Sequence, residues 1–258
     1  MPIQQGFLQR VEVIRSRIGD RSYLREIPSL RNLSTLCLDP GVTFFVGENG
    51  SGKSTLIEAI AIAAGFNPEG GSKSFQFAGR RSESDLHEAI RLHRGYRREK
   101  TGFFLRAESM FNLATEIERL DSIPAATPPV IDSYGGRSLH EQSHGESFLA
   151  VIRNRFGPQG LYVLDEPESS LSPQHQLAML ALIDRSVRTE GSQYIIATHS
   201  VLLMAYPSAT IYLLSDTGIE RTTYSETPHY RLVRDFVSSP ERFFRHLFSD
   251  ETAPPPPR

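Results

Sequence analysis

The segment Gly47-Glu48-Asn49-Gly50-Ser51-Gly52-Lys53-Ser54-Thr55 fits the spacing GxxxxGK[ST], which is suited to holding phosphate. The glycines allow the backbone to curl so that successive N–H groups point inward at phosphate oxygens, and a following helix adds the positive end of its dipole. Lys53 would neutralise the β and γ phosphates of a nucleotide, and Ser54 would offer its hydroxyl to Mg2+. With this composition the pattern arises by chance in roughly two of a thousand such chains. A second group, Leu161-Tyr162-Val163-Leu164-Asp165-Glu166-Pro167, is an apolar run ending in adjacent carboxylates. A buried strand would deliver Asp165 to a sheet edge, where it can hold Mg2+ through water. Glu166 beside it can orient and deprotonate an attacking water.

The elements that would position these groups follow from periodicity. Phe7 to Ile14 alternates as a strand, Thr43 to Val46 is a short β-rich run, and Leu56 to Ala64 has the length of a helix stopped by Gly65. This order is strand, Gly-rich turn, helix. Asn67 to Gly79 reads as a loop, and Ser84 to Lys100 as a charged helical stretch on the surface. Thr101 to Arg106 is a strand feeding a helix over Ser109 to Leu120, and Ile123 to Gly136 is a Pro-rich loop. The second half alternates again: helix Glu146 to Phe156, strand Leu161 to Leu164, helix Pro173 to Arg188, strands Tyr194 to Ala197 and Thr210 to Leu214. Such alternation predicts an α/β fold with a largely parallel sheet covered by helices.

Together the phosphate loop and the paired carboxylates resemble the ATP-binding-cassette ATPases, and further motifs of that superfamily occur in order. Ser143-His144-Gly145-Glu146-Ser147 resembles its signature motif, in which a serine and the N–H groups of a helix N-terminus contact the γ-phosphate held by a partner subunit. Taken alone, the same five residues are also a polar helix cap. Glu146 in place of glutamine is closer to the chromosome-maintenance and repair branch, and His144 departs from the usual glycine. Glu168-Ser169-Ser170-Leu171-Ser172-Pro173 aligns with the D-loop, with Ser172 in place of aspartate. Ile195-Ile196-Ala197-Thr198-His199-Ser200 matches the switch-histidine strand, and His199 lies 33 residues after Glu166 as the pattern expects.

Where the family carries its glutamine loop this chain has TGFFLRAESMF, with Arg106 or Glu108 in place of Gln; Gln76 is a further candidate. Tyr23 is a candidate for stacking on adenine. The resemblance therefore implies a P-loop fold of cassette type, with an N-terminal antiparallel β portion and a helical signature insert at about residues 80–157. It implies a single domain over residues 1–250, followed by a Pro-rich tail, 251–258, read as disordered. It implies ATP and Mg2+ as ligands, Glu166 and His199 as catalytic residues, Ser54 and Asp165 as metal ligands, and Gly47 to Thr55 with Ser143, Gly145 and Glu146 as nucleotide contacts. A homodimer forming on ATP is implied as well. The runs around Phe103, Glu146 and Asp165 also resemble a family of short bacterial ATPases that stand alone as cassette domains.

Composition narrows the partners. The 258 residues carry a net charge of -2, so nucleic-acid contact is not expected from overall charge, and any such contact must be local. The stretch Arg91 to Lys100 is the candidate for DNA, in an alternative reading as an ATP-gated repair-type head. An ATP-binding subunit of a membrane transporter is the third reading. A single cysteine, Cys37, excludes an intrachain disulfide or a thiolate metal cluster. No run is long and apolar enough to span a bilayer and the lone cysteine fits a reducing cytosol, so a cytoplasmic location is expected; the ATPase reading adds an unidentified protein partner.

Overall fold

A computed structural model describes residues 6–20, 22–73, 84–124 and 126–248. Its strands are β1 (Leu8–Val13), β2 (Thr35–Cys37), β3 (Val42–Gly47), β4 (Gly71–Ser72), β5 (Ile90–Arg94), β6 (Thr101–Arg106), β7 (Gly160–Asp165), β8 (Gln193–Ala197), β9 (Thr210–Ser215) and β10 (Gly218–Thr222). Its helices are α1 (Pro28–Arg31), α2 (Lys53–Ala63), α3 (Leu86–Ala89), α4 (Met110–Asp121), α5 (His144–Arg155), α6 (Pro173–Glu190), α7 (Val201–Met204), α8 (Pro228–Ser238) and α9 (Pro240–Leu247). Gln76 and the tail 251–258 lie outside the described residues.

Among the described residues, the larger sheet runs β10-β9-β3-β8-β7-β6-β4, parallel from β9 through β6, with antiparallel β10 and β4 at its edges. Its central strands β3, β7 and β8 are buried on both faces, which explains their nearly continuous apolar runs. Alternate residues serve opposite layers. Phe45, Val163 and Ile195 pack with Leu56, Ile57 and Ile60 of α2 and with the smaller sheet. Phe44, Tyr162 and Ile196 pack with Ile117 of α4, Phe148 of α5 and Met179 of α6. Phe44 and Phe45 are fully buried, and cutting either to Ala would cost about 3–5 kcal/mol.

The smaller sheet, β2-β1-β5, is antiparallel and corrects one expectation. The stretch Ser84 to Lys100 is not a charged helix: only Leu86–Ala89 is helical, and Ile90–Arg94 is a strand. Ile90 and Leu92 pair with Val13 and Val11 and join their core, while Arg91 is exposed. Pairing with a strand some eighty residues earlier overrides the local helical appearance. The expected loop from Asn67 likewise contains the short strand β4, hydrogen-bonded to β6.

Parallel pairing sets the functional edge. The last residues of β3, β7 and β8 are Gly47, Asp165 and Ala197, and all three strands end on the same side of the sheet. In an open α/β sheet this carboxyl edge is where ligands bind.

Candidate functional site

The loop after β3 turns directly into α2. Gly52, the N-cap of α2, has φ +93°, and a Cβ there would lie 2.8 Å from Ile27 Cγ2, so both conformation and packing require glycine. The segment just upstream braces the loop from outside, with Ser29 Oγ donating to the carbonyl of Ser51. Tyr23 lies on the surface four residues before Ile27, with its ring half-exposed.

Lys53 opens α2 and is 3% exposed. Its Nζ donates to the carbonyls of Gly47 (3.0 Å) and Glu48 (3.1 Å) and lies 3.9 Å from Glu166 Oε1. Burial lowers its pKa, while the carboxylates of Glu166, Asp165, Glu168 and Glu48 pull the other way. A cation held by carbonyls inside a glycine loop is placed to meet an anion entering that loop.

Ser54 Oγ donates to Asp165 Oδ1 at 3.1 Å, joining the first turn of α2 to the end of β7. Asp165 is buried, and desolvation pushes its pKa up to about 6 against the opposing pull of Arg106 and the Ser54 hydroxyl. Among the described residues no group of three or more His, Cys, Asp or Glu side chains could hold a metal. One hydroxyl and one carboxylate side by side instead suit a hard cation that keeps waters and takes its other oxygens from phosphate, as Mg2+ does.

Glu166 turns out of the strand in a left-handed conformation, φ 48° and ψ 52°, a strained state for a non-glycine residue. Its N–H donates to the carbonyl of Ala197 (3.0 Å), and its Oε1 lies 3.2 Å from His199 Nε2. The backbone N–H of His199 donates to Glu168 Oε1. Glu166 and His199, distant in sequence, are therefore hydrogen-bonded partners beside Lys53. A carboxylate so placed can accept a proton from water, with the imidazole orienting it.

Arg106 stands where the family has glutamine. Register puts it beside Asp165, and its guanidinium meets Glu58 Oε2 (2.6 Å), Glu108 Oε1 and Asp165 Oδ2 (3.6 Å). Both described candidates at this position, Arg106 and Glu108, thus belong to one ion network with Asp165.

The signature residues lie elsewhere. Ser143 caps α5 by accepting from the N–H of Glu146 (3.3 Å), and Glu146 Oε2 accepts in return from Ser143 N–H (3.0 Å) and Oγ (2.8 Å). Those bonds to Ser143 lower the pKa of Glu146. Ser143, His144 and Glu146 are exposed, while Gly145 is buried with its would-be Cβ 2.4 Å from His175 Nδ1 on α6. Glycine there lets α5 sit close to α6. Ser172, in place of the D-loop aspartate, caps α6 by accepting from His175 N–H (3.3 Å). His144 lines a hollow of about 310 Å3 with Ala107, Glu108, Phe111 and His140, separate from the hollow at the phosphate loop.

One residue at the site carries no motif. His229, near the start of α8, lines a hollow of about 290 Å3 together with Gly47 to Ser51 and Leu213 to Asp216. The helix start Thr227-Pro228, a capping residue followed by proline at the first helical position, is the sequence signal that marks α8.

Residues 21–118 match the AAA domain family. The lipoprotein-releasing system ATP-binding protein LolD of Maricaulis maris is 28% identical over 205 residues, covering 70% of this chain and 85% of that protein. The hemin import ATP-binding protein HmuV of Rhodopseudomonas palustris is 27% identical over 196 residues, covering 66% of this chain and 69% of that protein. The structure of cbiO1 from Clostridium perfringens, part of the ABC transporter complex cbiONQ, shares the fold with a TM-score of 0.50 at 14% identity, covering 94% of this chain and 99% of that one. With the phosphate loop, the paired carboxylates and His199 assembled at one sheet edge, these likenesses support a P-loop ATPase domain of the ATP-binding-cassette type.

Proposed function

We propose that the chain hydrolyses Mg-ATP in a homodimer, each nucleotide lying between the phosphate loop of one copy and the Ser143 helix end of the other. The observation that carries this reading is the division of the motifs. Lys53, Ser54, Asp165, Glu166 and His199 converge on one site, whereas Ser143, His144 and Glu146 face solvent and His144 lines a different hollow. A second copy supplies what one copy lacks.

In this reading Gly47 to Thr55 wrap the phosphates with backbone N–H groups, and Lys53 moves from two carbonyls to phosphate oxygens. Ser54 and Asp165 would hold Mg2+, which supplies charge neutralisation between the phosphates. Glu166 accepts the proton of the attacking water while His199 fixes the carboxylate and senses the terminal phosphate. The N–H groups at the start of α5 and the Ser143 hydroxyl close on that phosphate from the partner copy. ATPase rate against protein concentration tests this: specific activity rises with concentration through the dimerisation range. Specific activity independent of concentration, from a chain that is monomeric with nucleotide, contradicts it.

The chain's own partner has a second reading. LolD and HmuV are named as ATP-binding proteins of lipoprotein release and hemin import, and the hollow between Glu108, Phe111 and His140 offers a groove beside the Arg106 loop for a helix of a membrane subunit. Among the described residues no helix is long and apolar enough to cross a membrane itself. The DNA-contact reading is less favoured, because Arg91 and His93 face Glu12 and Arg94 is paired with Glu99. Those carboxylates offset much of the positive charge that a phosphate backbone would need.

A further inference from the structure

His229 sits in an environment that its own chain does not satisfy. Its side chain is 13% exposed, and among the described residues neither Nδ1 nor Nε2 has a hydrogen-bond partner. Glu48 Oε1 stands 4.0 Å from Nε2, too far for a hydrogen bond, and its carboxylate is itself 87% exposed. A neutral imidazole always presents one donor and one acceptor, and leaving both largely buried and unpaired is costly. Burial holds its pKa below the usual histidine value; Lys53 and His199 act in the same direction, and Glu48 opposes them. A ligand entering the adjacent hollow would remove the deficit.

The position of the ring says which part of a nucleotide it would meet. Its centre is 5.7 Å from that of His199, which is bonded to Glu166, and Glu166 lies 3.9 Å from Lys53. This is the end of the loop where the attacking water and the last phosphate belong. The hollow it lines includes Glu48, Asn49 and Gly50 of the loop.

We propose that His229 is a nucleotide-binding residue that donates an Nε2–H hydrogen bond to the terminal phosphate of ATP on the phosphate loop. The proposal rests on the reading of Gly47 to Thr55 as the phosphate site. ADP lacks the group that His229 meets, so the residue discriminates between substrate and product. Because α8 has no fully buried residue, this contact also ties the C-terminal helices to the nucleotide state.

Calorimetric titration of the full chain with Mg2+ and either a non-hydrolysable ATP analogue or ADP tests the proposal. His229→Ala is expected to weaken the ATP analogue by about tenfold while leaving ADP within about twofold, and His229→Gln, which keeps a donor near Nε2, restores most of the loss. Hydrogen exchange adds a readout that packing alone would not move: wild-type α8 gains protection with the ATP analogue and not with ADP, and His229→Ala loses that gain. Equal weakening of both nucleotides, or no change in either while α8 protection persists, overturns it. Lys53→Ala separates the two levels. If that variant binds ADP like the wild type, the phosphate-loop reading fails and this proposal with it; if it loses ADP and His229→Ala changes nothing, only the His229 assignment fails.

Discussion

The phosphate-loop edge and the Ser143 helix end both carry motifs but are built in opposite ways. At the first, Lys53 and Asp165 are buried, Ser54, Glu166 and His199 are partly buried, and side chains are bonded across long sequence distances, as Ser54 is to Asp165 and His199 to Glu166. At the second, the side chains of Ser143 and Glu146 bond to each other, in the open. The first region is preorganised by the core beneath it, since both sheet faces are packed. The second is a capped helix end exposed to solvent. A dense site beside an idle one is the pattern expected when each is half of a composite.

The largest effect that would sharpen this contrast is at Lys53. Lys53→Ala removes the buried cation, and ATP affinity should fall by about a hundredfold or more in calorimetric titration. Undiminished affinity would mean that the dense region is not where phosphate binds. Glu166→Gln keeps the shape and the contact with His199 but cannot accept a proton. Hydrolysis should drop by roughly a hundredfold while ATP binding persists, as followed by phosphate release.

A smaller, graded effect comes from pH. Burial raises Asp165 to about 6, and the metal needs the carboxylate form, so protons compete with Mg2+ as pH falls through that value. Apparent Mg2+ affinity of the nucleotide-loaded protein should be flat above about pH 7 and fall by about tenfold per unit below 6. Asp165→Asn should lower Mg2+ affinity and flatten that slope; an unchanged slope would place the titration elsewhere. The smallest effect belongs to the exposed region. Ser143→Ala removes the cap of α5 and should cost about 1 kcal/mol in denaturant unfolding, with ADP binding to the monomer unchanged. A loss of ADP affinity would show that the two regions are coupled within one copy.

The same contrast explains what the sequence made legible. The phosphate loop and the Asp165–Glu166 strand end are contiguous runs whose chemistry and local structure agree, so both could be read residue by residue. The parallel core strands were equally plain, because burial on both faces leaves unbroken apolar runs. β5 was not: Ile90-Arg-Leu-His-Arg carries the charges of a surface helix, and only pairing with β1 makes it a strand. The Arg106 network depends on β6 and β7 being in register, which no local pattern encodes. His229 is nearly two hundred residues from the loop it faces and follows no motif. Its only local signal was the Thr-Pro helix start.

The central claim, that two copies complete each other's sites, is tested most directly by light scattering on Glu166→Gln with Mg-ATP. The account predicts that the mass doubles with Mg-ATP and returns to monomer without it, and that adding Ser143→Arg to the same protein abolishes the doubling while ATP still binds. A Glu166→Gln protein that binds Mg-ATP and stays monomeric, or a dimer indifferent to Ser143→Arg, would contradict it.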